Sequence, residues 1–332
     1  MSVPAPIVHI GYPKTATTWF QKNFYPQVRN FTYVDRGRVR AALLEPHALA
    51  FDPGEARRLL GLDEARLPAI LCEEGLSGYL HNGGVAGMVS KEIAERIKRT
   101  LPDARVVIFL RAQPGMIAAA YQQYVRGGGT HQAHRFVFPG DYLVGASVET
   151  YKQPRFDIDH FLYSRLIARY DSLFGRDNVH VCLFEQFRRD GASFLRAFAD
   201  RLGLDVDAGA LSMERRLPTY GMTLTTIARF LNLFTARAVI DKRTIVHIPG
   251  WFRARRALLE AMNRTRLFGS PPSPARLLGE ATVQWLEAHF AADNRRLAER
   301  GLPVADYGYA MEGDKSSTER PAAGRWRKVI AS

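Results

Sequence analysis

The sequence predicts an α/β protein built on a three-layer parallel sheet, with a mostly helical C-terminal part. Three observations lead there. Short, near-continuously apolar runs recur along the first part of the chain, as strands buried on both faces require: IVHI at 7–10, LPAILCE at 67–73, RVVIFL at 105–110 and VHVCLF at 179–184. Segments of helical period separate these runs, and strands alternating with helices through short loops read as βαβ units. The first run breaks at Gly11 and Pro13 and then feeds a helix, giving a strand, a tight loop and a helix in succession.

Taken in order, the strand at 7–10 is followed by a helical stretch through about Tyr25, and 31–34 reads as a second strand. The strand at 67–73 comes next. An amphipathic helix over 88–101 is stopped by Pro102. The run at 105–110 is the clearest strand, and the helix over 114–126 has proline in its first turn and glycines 127–129 at its end. A glycine- and histidine-containing stretch with little periodicity spans 127–153. The segment 158–174 reads as one helix with Gly175 as its C-cap, and 179–184 as a further strand. From about Ser193 the pattern is mostly helical, and after Met311 it turns polar and loose.

Composition narrows the function classes. Of the 332 residues 46% are hydrophobic, enough for a folded core and too many for a disordered chain. The only two cysteines, Cys72 and Cys182, each sit inside an apolar run, which predicts buried free thiols rather than a disulfide framework. The opening residues lack a basic region followed by a long apolar stretch, and no segment approaches the roughly 20 apolar residues of a membrane span, so a cytoplasmic protein is expected. The formal charge of +13 favours anionic partners such as nucleotides, lipid headgroups or acidic glycans. No nucleic-acid-binding module is recognisable, and nucleic acid is not expected as a partner.

The residues 8–21 read VHIGYPKTATTWFQ. A strand that ends in a Gly/Pro loop and feeds a helix through Thr17 and Thr18 is suited to hold a phosphate, because the amides of a first helical turn lack intrahelical partners and lie at the positive end of the helix dipole. An ordinary nucleotide loop reads G-x-x-x-x-G-K-[ST]. Counted from Gly11, its second glycine falls on Ala16, its lysine on Thr17 and its hydroxyl on Thr18, so the lysine of a kinase or ATPase is missing. Lys14 stands earlier, directly after Pro13, and reaches a different oxygen.

At these residues the sequence resembles the sulfotransferases that use 3′-phosphoadenosine-5′-phosphosulfate (PAPS), whose phosphosulfate loop has the form [YF]-P-K-x-[GA]-T-T-W. Tyr12, Pro13, Lys14, Thr15, Ala16, Thr17, Thr18 and Trp19 match it in order and spacing. The resemblance implies the P-loop NTPase-like sulfotransferase type of sheet, no metal, and 3′-phosphoadenosine-5′-phosphate as product. It further implies an arginine after a later strand that grips the 3′-phosphate, and Arg111 stands there, at the carboxyl end of the 105–110 run, with a fork that suits a terminal phosphate. The serine that family members usually carry eight residues on is Ala119 here; Gln113, Tyr121 or Arg126 are the nearby donors that would replace it. Looser matches to bacterial, glycan- or lipid-modifying sulfotransferases run from CEEGLSG at 72–78 to the YGY at 307–309. They imply one sulfotransferase domain over 1–311, with a nucleotide-binding core at about 5–190, a mostly helical part at about 191–311, and a flexible tail over 312–332.

For in-line displacement at sulfur, a cation beside the leaving oxygen and a base for the acceptor are needed. Lys14 is placed for the first. Glu74, just past the 67–73 strand, is the expected base, with Glu73 as the rival because adjacent strand residues point to opposite faces. His9 reads as a core histidine, and His81, His131 and His134 as loop residues bordering an acceptor. The segment 222–268 interleaves apolar stretches with Arg229, Arg237, Lys242, Arg243, Arg253, Arg255, Arg256, Arg264 and Arg266, and carries Trp251 and Phe252. Two readings stay open for it: a helical lid with solvated arginines, or a surface lying on an anionic membrane that presents a lipid or lipid-linked glycan acceptor. A P-loop kinase or NTPase, or a nucleotide-binding protein of this fold without turnover, are the alternatives to a sulfotransferase.

Overall fold

The computed structural model describes residues 4–142, 155–207, 209, 211, 219–236, 242–265, 268–312 and 320–321. Five parallel strands, β1 (Ile7–His9), β2 (Thr32–Val34), β3 (Ala69–Cys72), β4 (Arg105–Leu110) and β5 (Val179–Leu183), form one sheet in the order β2-β3-β1-β4-β5. The chain leaves β1 toward one edge of the sheet and returns to β4 on its other side. The strand order therefore reverses at β1, and the crevice at the carboxyl ends of β1 and β4 is the place where sheets of this type take ligands.

The described chain divides into two compact units, Met1–Ala112 with His160–Glu214 and Asp293–Gly308, and Gln113–Asp159 with Arg215–Ala292 and Tyr309–Ser332. The first holds the whole sheet with helices α1 (Thr17–Trp19), α2 (Arg36–Val39), α3 (Pro53–Leu60) and α4 (Met88–Thr100). The second holds α5 (Gln113–Arg126) and α6 (Ala133–Val137). The first unit adds α7 (Tyr163–Phe174), α8 (Phe184–Arg189) and α9 (Gly191–Leu202), and the second α10 (Met222–Leu231), α11 (Trp251–Arg264) and α12 (Pro274–Leu278). The long α13 (Glu280–Glu299) contributes to both. No helix among the described residues is long and apolar enough to cross a membrane.

In the first unit, side chains alternate across the sheet as strand geometry requires. One face presents Ile7, Ile70, Cys72, Val107, Phe109 and Cys182 to Phe20 and Phe24, which continue α1, and to Leu195, Phe198 and Leu202 of α9. Against the other face α7 packs on β4 and β5, with α4 laid on α7, burying Ile93, Ile97, Ile167 and Tyr170. Helices thus cover both faces of the all-parallel sheet, the three-layer α/β arrangement expected from the continuous apolar runs. Both cysteines are buried and free.

Three local expectations need correction. The 158–174 stretch is not one helix: a 3-10 turn at Ile158–Phe161 ends at Leu162 (ψ 79), and α7 starts afresh at Tyr163. The cause is a distant carboxylate, since Asp293 accepts from both the amide (3.2 Å) and the hydroxyl of Ser164 and so caps the new helix. The aperiodic 127–153 stretch contains α6; its residues 143–153 lie outside the described residues. Phe184, read as the end of a strand, opens α8.

Candidate functional site

The loop after β1 is built by backbone conformation as much as by side chains. Lys14 (φ 70) and Ala16 (φ 69) both adopt the left-handed region, where an L-residue is disfavoured by about 1–2 kcal/mol. Left-handed residues in a tight loop help turn neighbouring amides to one side, a concavity suited to anions. The turn is held from within: Thr15 Oγ1 donates to the Tyr12 carbonyl, and the Trp19 amide donates to the Ala16 carbonyl at 2.8 Å. It is anchored to the sheet by the Ile10 and Tyr12 amides, which donate to the Val107 and Phe109 carbonyls of β4. Pro13, Thr15 and Thr17 are buried, Ala16 and Trp19 half-buried, and Lys14 and Thr18 face solvent. Thr17 Oγ1 is buried with no hydrogen-bond partner within the protein. Burying a hydroxyl unpaired costs about 1–3 kcal/mol, so an oxyanion in the loop has a donor waiting for it.

Gly11 opens this loop under a steric constraint. A Cβ there would lie 2.7 Å from His9 Nε2. His9 stacks on Phe109 (4.9 Å), its Nδ1 lies 2.8 Å from the Tyr25 hydroxyl, and burial lowers its pKa to about 3. It is a neutral core histidine that supports the loop from beneath.

Arg111 follows β4 in the same unit. Its Nη1 donates to the Lys14 carbonyl (3.3 Å), its guanidinium lies over the Phe184 ring (5.2 Å), and its own carbonyl accepts from the Tyr163 hydroxyl (2.6 Å). The Tyr12 hydroxyl donates to the His160 carbonyl (3.2 Å), and the Tyr12 ring packs on His160 and Tyr163. The segment entering α7 therefore clamps both the loop and Arg111. Sequence reasoning missed this clamp: nothing local to Tyr163 or His160 marks it.

The two carboxylates after β3 differ sharply. The Glu73 amide donates to the His9 carbonyl, which continues the β1–β3 ladder and carries both residues to the crevice. Glu73 is fully buried and held by Arg36 Nε (2.6 Å), Arg36 Nη2 (3.2 Å), Arg40 Nη2 (3.2 Å) and the Gly75 amide (3.2 Å). Burial pushes its carboxyl up, but these partners outweigh it and leave it below the usual carboxylate range. Glu74 keeps a partly exposed side chain, with only a 3.5 Å contact to Arg36. Burial and then the Glu73 charge raise its pKa, while Arg36, Lys14 and Arg40 pull it back in part. The charge of Lys14 thus acts on Glu74, more weakly than that of Arg36. Arg36 and Arg40 were not foreseen, although parallel register supplies a signal: Val34 pairs with Leu71, so Arg36 and Glu73 each lie two residues beyond a paired position.

The remaining sequence candidates lie elsewhere. Arg126 ends α5 in the second unit, where its guanidinium lies over the Tyr220 ring (5.2 Å) and its carbonyl accepts from Arg255 (2.8 Å). In that unit the Tyr121 hydroxyl donates to the His131 carbonyl (3.0 Å), and His134 Nδ1 lies 2.9 Å from the Tyr142 hydroxyl. His81 is buried in the first unit, its pKa lowered to about 4 by burial.

No protein-family model and no curated protein sequence matches the chain. Among solved structures it is similar to a sulfotransferase from Alicyclobacillus acidocaldarius, at 20% identity, covering 65% of this chain and 87% of that one with a TM-score of 0.45. It is also similar to the sulfotransferase domain from the curacin biosynthetic pathway (12% identity, 82% and 100% covered, TM-score 0.36). A third is mouse sulfotransferase SULT7A1 complexed with PAP (14% identity, 79% and 84% covered, TM-score 0.34).

Proposed function

We propose that the chain is a PAPS-dependent sulfotransferase, moving a sulfuryl group to a hydroxyl or amine of a glycan, lipid or small-molecule acceptor. The observation that carries this reading is the loop after β1, with Lys14 and Ala16 left-handed and the buried Thr17 Oγ1 left without a partner in the protein; Glu74, of raised proton affinity, follows the neighbouring strand β3. The loop from Pro13 through Thr15, Ala16, Thr17 and Thr18 to Trp19 holds the 5′-phosphosulfate, with Thr17 Oγ1 as a buried donor. Arg111 grips the 3′-phosphate.

In the reaction the acceptor oxygen or nitrogen forms a bond to sulfur as its proton passes to Glu74. The bond from sulfur to the bridging oxygen breaks, its electron pair stays on the 5′-phosphate, and Lys14 stabilises the charge that develops there. Glu73 keeps its proton off through Arg36 and Arg40 and acts by positioning: its charge raises the proton affinity of Glu74. The catalytic domain in this reading spans 1–311, in the cytoplasm, with the basic segment 222–268 resting on the inner face of a membrane that supplies the acceptor.

Calorimetric titration with 3′-phosphoadenosine-5′-phosphate without magnesium, beside magnesium ATP, tests the reading on wild type and Arg111→Ala. Binding of the former, weakened at least about tenfold by loss of the charged fork, is expected. Preference for magnesium ATP would return the chain to the P-loop kinases and NTPases. Nucleotide binding with no sulfation of any acceptor would leave a binding protein of this fold, an outcome that the missing hydroxyl at Ala119 makes concrete.

A further inference from the structure

Of the ten large apolar side chains exposed among the described residues, five fall within 230–258 of the second unit, so the exposure is concentrated rather than scattered. Phe230 is 60% exposed, Ile245 71%, Val246 48% and Ile248 44%. These four are neighbours in space. The Ile245 amide donates to the Leu233 carbonyl (2.9 Å) and the Ile248 amide to the Phe234 carbonyl (3.1 Å), which lays the strip from 245 to 248 along the short turn Asn232–Phe234. Phe230 packs edge-on against Phe234 in that turn. Side chains in and around the strip tie it to the 231–236 backbone: the Ala236 amide donates to His247 Nδ1 (3.0 Å), the Trp251 indole donates to the Leu231 carbonyl (2.8 Å), and Lys242 Nζ donates to the Asn232 (3.2 Å) and Thr235 carbonyls. A strip anchored through the Ile245 and Ile248 amides while its isoleucines and valine stay exposed is built to present them.

The rim is basic. Arg243 and Arg253 flank the strip and are exposed, Arg256 lies one turn along α11, and Arg229 precedes Phe230. Glu260, on the same helix, is taken up by Arg256 at 2.9 Å. From this combination we infer that the strip 245–248, with Phe230, is an insertion element for an anionic lipid surface: the apolar tips enter the acyl boundary while Arg243 and Arg253 sit at headgroup phosphates. A second copy of the chain fits poorly, because a self-complementary contact would set the two arginine rims against each other on molecules that each carry +13. The inference rests on the membrane part of the functional reading and names the surface that makes the contact. It is independent of nucleotide binding.

The test is sedimentation with vesicles of phosphatidylcholine containing about a third phosphatidylglycerol, beside pure phosphatidylcholine, at about 0.1 M salt. Three proteins are compared: wild type, Ile245→Glu/Ile248→Glu, and Arg243→Glu/Arg253→Glu. Both variants change only exposed side chains, and unaltered 3′-phosphoadenosine-5′-phosphate binding and circular dichroism serve as folding controls. Wild type is expected on the anionic vesicles and not on neutral ones, with at least roughly tenfold weaker partitioning for each variant. Absence of wild type from anionic vesicles, or equal partitioning by Ile245→Glu/Ile248→Glu, overturns the inference. So does a lipid-free dimer, seen by light scattering, that the isoleucine variant dissolves, since that assigns the face to a second copy. Vesicle binding by a protein that ignores the nucleotide would leave this surface standing and remove the sulfotransferase reading instead.

Discussion

Two adjacent glutamates show how far environment separates identical side chains. Glu73 is surrounded by Arg36, Arg40 and the Gly75 amide and is locked as an anion; Glu74, next along the chain, meets burial and the Glu73 charge before it meets any cation. The pair forms a graded site in which the first carboxylate tunes the second. Glu74→Gln is expected to lower kcat by roughly 10²–10⁴-fold, the usual worth of a general base, with little change in nucleotide affinity. It also has a stability signature of definite sign. The folded-state pKa lies above the unfolded value of 4.5, so folding opposes ionisation, and stability falls as pH rises from 4.5 through the raised pKa. Glu74→Gln should therefore be more resistant to urea than wild type near neutral pH and no more resistant near pH 4. Lower resistance at neutral pH would mean that the carboxylate is stabilised by Lys14 and Arg36 more than burial opposes it. Lys14→Met should reduce kcat by roughly 10²–10³-fold, as loss of one preorganised group on a developing charge does elsewhere.

Between residues and the whole lies the run 83–87, where Gly83 (φ 65), Gly84 (φ 77), Val85 (φ 46), Ala86 (φ 54) and Gly87 (φ 80) all adopt the left-handed region. This short left-handed turn leads directly into α4, and Ser90 in its first turn lies with its hydroxyl 2.8 Å from the Ser77 carbonyl and 3.0 Å from the Gly83 carbonyl. The glycines are not equivalent. A Cβ on Gly83 would lie 2.6 Å from Ser90 Oγ and 2.8 Å from His160 Nδ1, while one on Gly87 would meet nothing within 4 Å. Gly87→Ala should cost about 1 kcal/mol, the left-handed penalty alone, and Gly83→Ala about 3 kcal/mol once the clash is added. Equal urea midpoints for the two variants would contradict this. The contrast also shows what a sequence reveals of an element. The glycines at 83, 84 and 87 mark a turn, but part of the crowding at Gly83 comes from His160, more than seventy residues away. Most of the sheet was legible because β1, β3, β4 and β5 lie in largely apolar runs, and the loop after β1 because its chemistry is contiguous from Tyr12 to Trp19. The break at Leu162 was not, since Asp293 causes it, nor was the Arg36–Glu73 pair, which exists only once β2 and β3 are in register.

At the scale of the whole molecule, four histidines of the sheet unit, His9, His81, His160 and His180, are held below the ordinary imidazole range, the first three by the larger shifts. Burial lowers His9 to about 3, His81 to about 4 and His160 to about 3, with the His81 charge a lesser influence on His160. Each packs against an aromatic ring: His9 on Phe109, His81 beside Tyr79, His160 against Tyr12 of the loop after β1. In the unfolded chain they take up protons near 6.5; in the folded unit they do so only well below that. A depressed folded pKa means that the unfolded state binds more protons across the window between, so the stability these residues permit is complete above 6.5 and is lost as pH falls toward the folded values. The limiting slope is about 1.4 kcal/mol per pH unit for each histidine. A positive charge that already stands at +13 grows over the same range and adds repulsion in the same direction. Urea midpoints should thus be flat from about pH 8 to 6.5 and fall steeply below that, with nucleotide affinity declining alongside because the Tyr12–His160 contact steadies the loop. His81→Gln removes one of these protonation steps and should make the acid limb of the curve shallower. A midpoint that stays level down to pH 4.5 in wild type would mean that these histidines charge within the folded unit, and that the ring contacts around the loop tolerate an imidazolium.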